Sequence, residues 1–420
     1  MLSTQPRKRR WWLPVGLAWA AWSGALPANG QEWTRFRGPN GTGHASTGAE
    51  TVPVRWGEGD HNWKVKLPGT GHGSPAVWGE RIFLLCCDDR TFTRMVCCLS
   101  TVNGGSLWTR PYKSSSYRMH RDNHPAAPTP LLDAKRVYAC WATPKEITVV
   151  ALDHDGKELW RRDLGSHRSQ HGPCPAPMLY EDMVVLANDQ LGESFVVALD
   201  AATGKTRWKL PRKGGAKTSY ATPCVMRRAG KGDEIVVVGT AEGVAGIEAK
   251  TGKLSWQIRD VLPARVVGSP VVAGDLVIAT CGTGGGGIRL VAVRPKDDGT
   301  AELAWEMRRT GPYVPTPLFK DGLLYLLHDR GGVMCVRAAS GKEVWQGKLS
   351  DRFYGSFVLV GERLYCMSRT GSAYVLAAGK QFKLLAKNPL GERTFASPAV
   401  SAGRMYLRTF SHLISLGGRK

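Results

Sequence analysis

From about residue 60 onward the chain is written in short apolar runs, rich in Val, Ile, Leu and Tyr and broken by Gly, Asp and Lys. Runs of this kind predict strands joined by tight turns. The stretch "VVALDAATGKTRW", Val196 to Trp208, predicts one strand, a turn and a second strand. In that turn Asp200 can accept backbone amides ahead of it, Thr203 can do so more weakly, and Gly204 supplies a positive φ without steric cost.

The phrase is repeated. It returns as "VCCLSTVNGGSLW" (Val96), "VVALDHDGKELW" (Val149), "GIEAKTGKLSW" (Gly246), "VRAASGKEVW" (Val336) and, with an insertion, "VAVRPKDDGTAELAW" (Val291). A recurring period of roughly 40–50 residues signals a solenoid, a propeller or an array. Ahead of each copy stands another phrase, a small residue and usually a proline, then two apolar runs around a turn. It runs from "SPAVWGERIFLL" at Ser74 to "SPAVSAGRMYLR" at Ser397 and occurs eight times.

Each repeat therefore offers four strands, and the predicted fold is all-β: an eight-bladed β-propeller of four-stranded antiparallel blades. A large ring at one site of every repeat is best used to wedge neighbouring blades together. That assigns blade docking to Trp63, Trp108, Trp160, Trp208, Trp256, Trp305 and Trp345. The last unit has no closing Trp phrase, while "HNWKVKLPG" (His61 to Gly69) is a Trp strand with no partners before it. An N-terminal strand is thus expected to complete the last blade and close the ring, which removes exposed strand edges. The seventh blade carries Leu384 or Leu385 near the Trp position, and its interface is expected to be the least regular.

Three segments follow: residues 1–30, a lead-in over 31–59, and a single propeller over 60–417. "RKRR" (Arg7 to Arg10) precedes an apolar stretch from Trp11 to about Ala28, which reads as an export signal or an uncleaved N-terminal anchor. The net charge is +22, from 57 Lys and Arg against 35 Asp and Glu. Such a chain is drawn to anions. For an exported protein these are an acidic protein face, an acidic polysaccharide or a lipid surface. No nucleic-acid-binding motif is present.

Ten cysteines in an exported chain raise the question of disulfides. If the hairpin "LLCCDDRTFTRMVCCL" turns about Phe92, Cys87 faces Cys97 and Cys86 faces Cys98, so cross-strand or vicinal bonding competes with packing. Cys140, Cys174, Cys224, Cys281, Cys335 and Cys366 are scattered, mostly in apolar strands, and read first as buried packing residues. No zinc-type spacing occurs.

The segments leading into each first strand gather at one end of the central channel. They carry His72, His124, His171, Tyr220, Arg265, Tyr313, Arg352 and Tyr354, together with His120, His167 and Phe395. Convergent polar and aromatic groups in a concavity form a candidate ligand site. No carboxylate joins the histidines in register, so no metal is assigned there.

"ALDAATGKTRW" and its copies resemble the repeat of the quinoprotein-like (PQQ-like) propellers, whose docking motif runs A-x-D-x-x-T-G-x-x-x-W. Within that superfamily the chain looks most like the eight-bladed BamB-type propellers. "FRGPNGTG" (Phe36 to Gly43) is similar to the lead-in of exported proteins with PQQ-like repeats. The resemblance implies a non-catalytic, monomeric scaffold of the cell envelope that binds a protein or an acidic polymer and needs no cofactor. The alternative it implies is an alcohol or sugar dehydrogenase with pyrroloquinoline quinone (PQQ) and calcium in the axial funnel. Those enzymes also carry vicinal cysteines, but they hold calcium with Glu, Asn and Asp and use an Asp base. Only Asp122 and Asp351 lie near the funnel segments here. BamB-type scaffolds carry a lipid-anchor Cys, which this chain lacks near Ala28.

Overall fold

The computed structural model describes residue 1 and residues 32–46, 51–172, 176–215, 217–284 and 286–418. The segment read as a signal or anchor therefore lies outside the described residues. Eight four-stranded antiparallel blades follow one another along the chain, and the short strand His44–Ala45 adds a fifth, parallel strand to the seventh. The first blade is built from Ala76–Trp78, Arg81–Cys87, Arg94–Ser100 and Ser106–Tyr112, and the third from Met178–Tyr180, Met183–Asn188, Ser194–Asp200 and Thr206–Arg212. The eighth takes Ala399–Ser401, Arg404–Arg408 and His412–Gly417 from the C-terminal end, and its outermost strand is Trp63–Lys66, paired antiparallel with His412–Gly417. The ring is closed by the N-terminal strand as the pattern predicts. Among the described residues no helix is long and apolar enough to cross a membrane.

The repeated turn forms as its chemistry requires. Asp200 Oδ1 accepts the amides of Ala202 and Thr203 at 3.1 and 2.8 Å, and Gly204 has φ 69°. That glycine has a second reason to be there. A Cβ at Gly204 would meet the Trp160 ring at 2.7 Å, and Gly104, Gly156, Gly252 and Gly341 stand in the same way on Trp63, Trp108, Trp208 and Trp305. Each of these rings also donates its indole N–H to a carbonyl of the next blade's turn, as Trp160 does to Ala201 at 3.0 Å and Trp208 to Ala249 at 3.1 Å. The motif thus describes two halves of one interface: the Trp of one blade and the Thr-Gly turn of the next.

Trp256 departs from this scheme. Its indole N–H donates to Glu234 Oε2 of its own blade at 2.8 Å, and Gly246, where a Cβ would collide with that indole, leaves it room. The next blade's turn carries the insertion Lys296–Thr300, so no Thr-Gly turn waits for it. At the seventh blade, which lacks the Trp, the lead-in fills the gap. Trp56 is buried, with its amide donating to Asn388 Oδ1 at 3.1 Å, and it packs with Leu385 and Val400 between the seventh and eighth blades.

A belt of hydroxyls joins the first strands. The amide of Ser74 donates to Thr129 Oγ1, Thr222 to Ser269, Ser269 to Thr316, Thr316 to Ser356, Ser356 to Ser397, and Ser397 back to Ser74, all between 2.9 and 3.1 Å. Ala176 interrupts the belt in the third blade. The Ser or Thr before each proline is thus a link between blades.

The cysteine hairpin has a different register from the one expected. Cys87 pairs with Arg94, Cys86 with Met95, Leu84 with Cys97 and Phe83 with Cys98. Asp88 sets it: its carboxylate accepts the amides of Arg90 and Thr91, and its carbonyl accepts the amide of Phe92, so the turn centres earlier. Neighbours in a strand face opposite sides, so Cys86 and Cys97 share the face toward the eighth blade and Cys87 and Cys98 the face toward the second. All four are buried and unbridged, as are Cys224, Cys281, Cys335 and Cys366; Cys174 lies outside the described residues.

Candidate functional site: an axial funnel with one sealed end

The lead-in crosses one end of the channel like a strap. Trp33 pairs with Val77 of the first blade, and Thr34 accepts the amide of Leu132 in the second. Arg35 donates to the Pro223 carbonyl at 2.6 Å, and the Asn40 side chain both donates to and accepts from the Val225 backbone, all in the fourth blade. Arg37 donates to Pro317 at 2.9 Å, His44 meets the Phe319 carbonyl at 2.7 Å, and His44–Ala45 runs parallel to Val358–Val360 of the seventh blade. The strap brings Phe36 into the channel wall.

Above Phe36 lies a cavity of about 280 Å³. The hydroxyl belt and the segments leading into the first strands line it, and of the candidates it contains His72, His171, Tyr220, Arg265, Tyr313 and Tyr354, with His120 and Phe395 beside them. His72 packs on Phe395 at 4.3 Å, Phe395 on Tyr354 at 5.0 Å, and His120 stacks on His171 at 4.7 Å.

Two candidates are not in this cavity. His124 is buried behind His72 rather than facing the channel, because Asp89 Oδ1 at 3.1 Å and Thr70 Oγ1 at 3.0 Å hold its Nε2 on the far side. Arg352 is exposed and lines a smaller neighbouring pocket of about 70 Å³ with Asp329, Arg330 and Arg369. His167 is also buried, on the Gly172 carbonyl.

Electrostatically the funnel is cationic at its mouth, and burial disfavours the charged form of His72, His124 and His171. Burial first, then the charges of Arg265 and His120, holds His171 at about 4. Burial likewise holds His124 at about 4 and His72 well below the usual imidazole range. Arg265 is buried, with Nη2 donating to Gln170 Oε1 at 2.5 Å, Nη1 reaching Tyr313 Oη at 3.4 Å and Nε without a partner; no carboxylate faces it. The cavity's one carboxylate, Asp122, is occupied by Arg369 at 2.8 Å and the Tyr354 hydroxyl at 3.2 Å. Arg369 in turn lies over the rings of Tyr354 and Phe395. Asp329, beside the funnel, spends both oxygens on the amides of Tyr313 and Val314.

Phe36, Arg369 and Asp329 were not among the sequence candidates. Phe36 arrives from a segment outside the repeats, and the other two sit in turns between second and third strands, which the reading of the first-strand lead-ins did not cover.

The profile of the family described as outer membrane protein assembly factor BamB matches residues 145–306 and 297–413. The chain belongs to this family. It is 23% identical over 282 residues to outer membrane protein assembly factor BamB of Yersinia pestis, covering 63% of this chain and 67% of that one. It is 34% identical over 154 residues to quinohemoprotein alcohol dehydrogenase ADH IIB of Pseudomonas putida, but this spans only 21% of that enzyme. Among solved structures it superposes on BamB of Moraxella catarrhalis with a TM-score of 0.59 at 14% identity, covering 84% of this chain and 98% of that one. On the quinohemoprotein alcohol dehydrogenase of Comamonas testosteroni the TM-score is 0.64 at 12% identity, covering 93% and 81%. At these identities the structural likenesses show the propeller fold alone.

The dehydrogenase likeness implies PQQ and calcium, and the funnel's donors do not fit the calcium. Calcium takes six to eight oxygens, with carboxylates prominent among them. The cavity offers imidazoles, phenols, a guanidinium, belt hydroxyls that accept amides of neighbouring blades, Asn123, whose Oδ1 accepts the His124 amide, and one carboxylate already bound to Arg369. Among the described residues no group of three or more His, Cys, Asp or Glu is placed to hold a metal ion.

Proposed function

We propose that this protein is an exported, non-catalytic propeller that holds a protein partner in the cell envelope. Membership of the BamB family supports it. The observation that carries it is the donor set of the funnel: cations and aromatic rings face the cavity, and its carboxylate is tied into an ion pair. Such a surface binds, but it has no free carboxylate to serve as a base toward an alcohol and no oxygen cage for a divalent cation.

The test has two arms on the full-length chain. Titration with PQQ, with and without calcium, followed by absorption and calorimetry, gives no saturable binding, and no dye-linked alcohol or sugar oxidation is seen. In cells, a photoreactive residue at Arg118 or Arg352 crosslinks to an envelope protein. Tight quinone binding that is lost in the double variant His72→Ala, Tyr220→Ala overturns the proposal and makes the funnel an enzyme site.

A further inference from the structure

Exposed cations without an ion-pair partner surround the open end of the funnel. Lys113, Arg118, Arg121, Arg168, Lys213 and Arg352 lie in the loops around the mouth, are exposed, and form no ion pair among the described residues. The stretch over 209–217, "KLPRKGGAK", contains no acid; Lys209 and Arg212, in its strand part, pair with Glu193 and Asp189, and Lys213 beyond them is exposed. At the sealed end the turns interleave the two signs, as in "LDHDGKELW" and "RPKDDGTAELAW", and several cations meet carboxylates, as Arg81 does Asp155 at 2.8 Å and Arg228 does Asp297 at 2.7 Å.

Inside the mouth stands Arg265, more than nine-tenths buried, one N–H unpartnered and no counter-charge in contact. A desolvated guanidinium without an anion is costly, and its planar fork matches a carboxylate. The cavity is at the small end of the range for ligand pockets. Its volume of about 280 Å³ is too small for a folded element and admits a chain end beside Tyr220, Tyr313 and Tyr354.

Resting on the scaffold reading, we infer that the funnel face receives an acidic polypeptide whose terminal carboxylate enters the cavity and pairs with Arg265, while acidic side chains before it lie along the basic loops. A flat lipid surface cannot reach Arg265 below the rim. The interior of a polysaccharide chain has no terminal group to insert. Capture of a C-terminal carboxylate is a known mode of peptide recognition, achieved elsewhere by backbone amides and here by a guanidinium.

Fluorescence anisotropy on the full-length chain tests this with a labelled hexaglutamate carrying a free C-terminus and with its C-terminal amide. The acid binds at least about 10-fold more tightly than the amide, the value expected for one charge-assisted hydrogen-bonded pair. The preference disappears in Arg265→Gln, and affinity for both peptides falls in the surface variant Arg118→Glu, Arg121→Glu and with rising salt. Equal binding of acid and amide overturns the assignment to Arg265. So does binding of polygalacturonate with none of the peptides. If both peptides fail while the envelope crosslinks persist in the charge-reversed variant, the funnel-face inference falls and the scaffold reading stands. Loss of the crosslinks in the unmodified protein removes the scaffold reading itself.

Discussion

His124 shows how burial sets charge in this funnel wall. Its imidazole titrates near 4 instead of 6.5 because burial disfavours the cation more than Asp89 favours it. Between those values the unfolded chain takes up a proton that the folded chain refuses. Stability from this group is therefore complete above about pH 6.5 and is lost as pH falls toward 4, by on the order of 3 kcal/mol at most. Glu392 acts in a lower window. Burial alone would raise it, but hydrogen bonds from Thr409 and Ser411 bring it to about 2, so its contribution is lost only as pH falls from 4.5 toward 2. Thermal unfolding followed from pH 8 to 3 should show a first decline beginning below 6.5, and His124→Gln should flatten it. A midpoint that holds steady down to pH 4.5 would refute the assignment.

At the element scale the blades are held by two devices. One is the ring and glycine of adjacent repeats. Gly252→Ala must place a Cβ against the Trp208 ring with φ at 76°, so it should cost roughly 1–3 kcal/mol. Trp208→Ala should cost about 3–5 kcal/mol. The other is the hydroxyl belt. Ser397→Ala leaves the buried amide of Ser356 without its acceptor and should cost about 1–3 kcal/mol, whereas Ala176→Ser offers the missing acceptor and should add about 0.5–1.5 kcal/mol. Chemical denaturation of the four variants ranks them. If Ala176→Ser lowers stability, the belt is not what joins the third blade to its neighbours.

Taken as a whole, the molecule is a ring with one end sealed by its own lead-in. Trp33, fully buried against the first blade, anchors that strap. Trp33→Ala should lower the unfolding free energy by about 3–5 kcal/mol and expose residues 34–46 to limited proteolysis. A strap that stays protected in that variant would mean that Arg35, Asn40 and Arg37 hold it without the indole.

The repeat, the number of blades, the closure at Trp63 and the turn at Asp200 were all legible in the sequence, because each depends on residues close together in the chain. So was the outline of the funnel, since every first-strand lead-in is delivered to the same end of a ring. What tertiary structure alone decided depends on residues far apart in sequence. His124 turns away from the channel because Asp89 and Thr70 come from another loop. Trp256 folds back because Gly246 makes room and the next turn carries an insertion. Phe36 lines the cavity because the lead-in crosses the sealed end of the channel, held by the first, second, fourth, sixth and seventh blades. Arg265 stands without a counter-charge because Asp122, the carboxylate in its cavity, is taken by Arg369 from the seventh blade. Local propensity follows from chain neighbours, whereas pairing, burial and charge balance follow from spatial neighbours, and only the closed ring determines which residues those are.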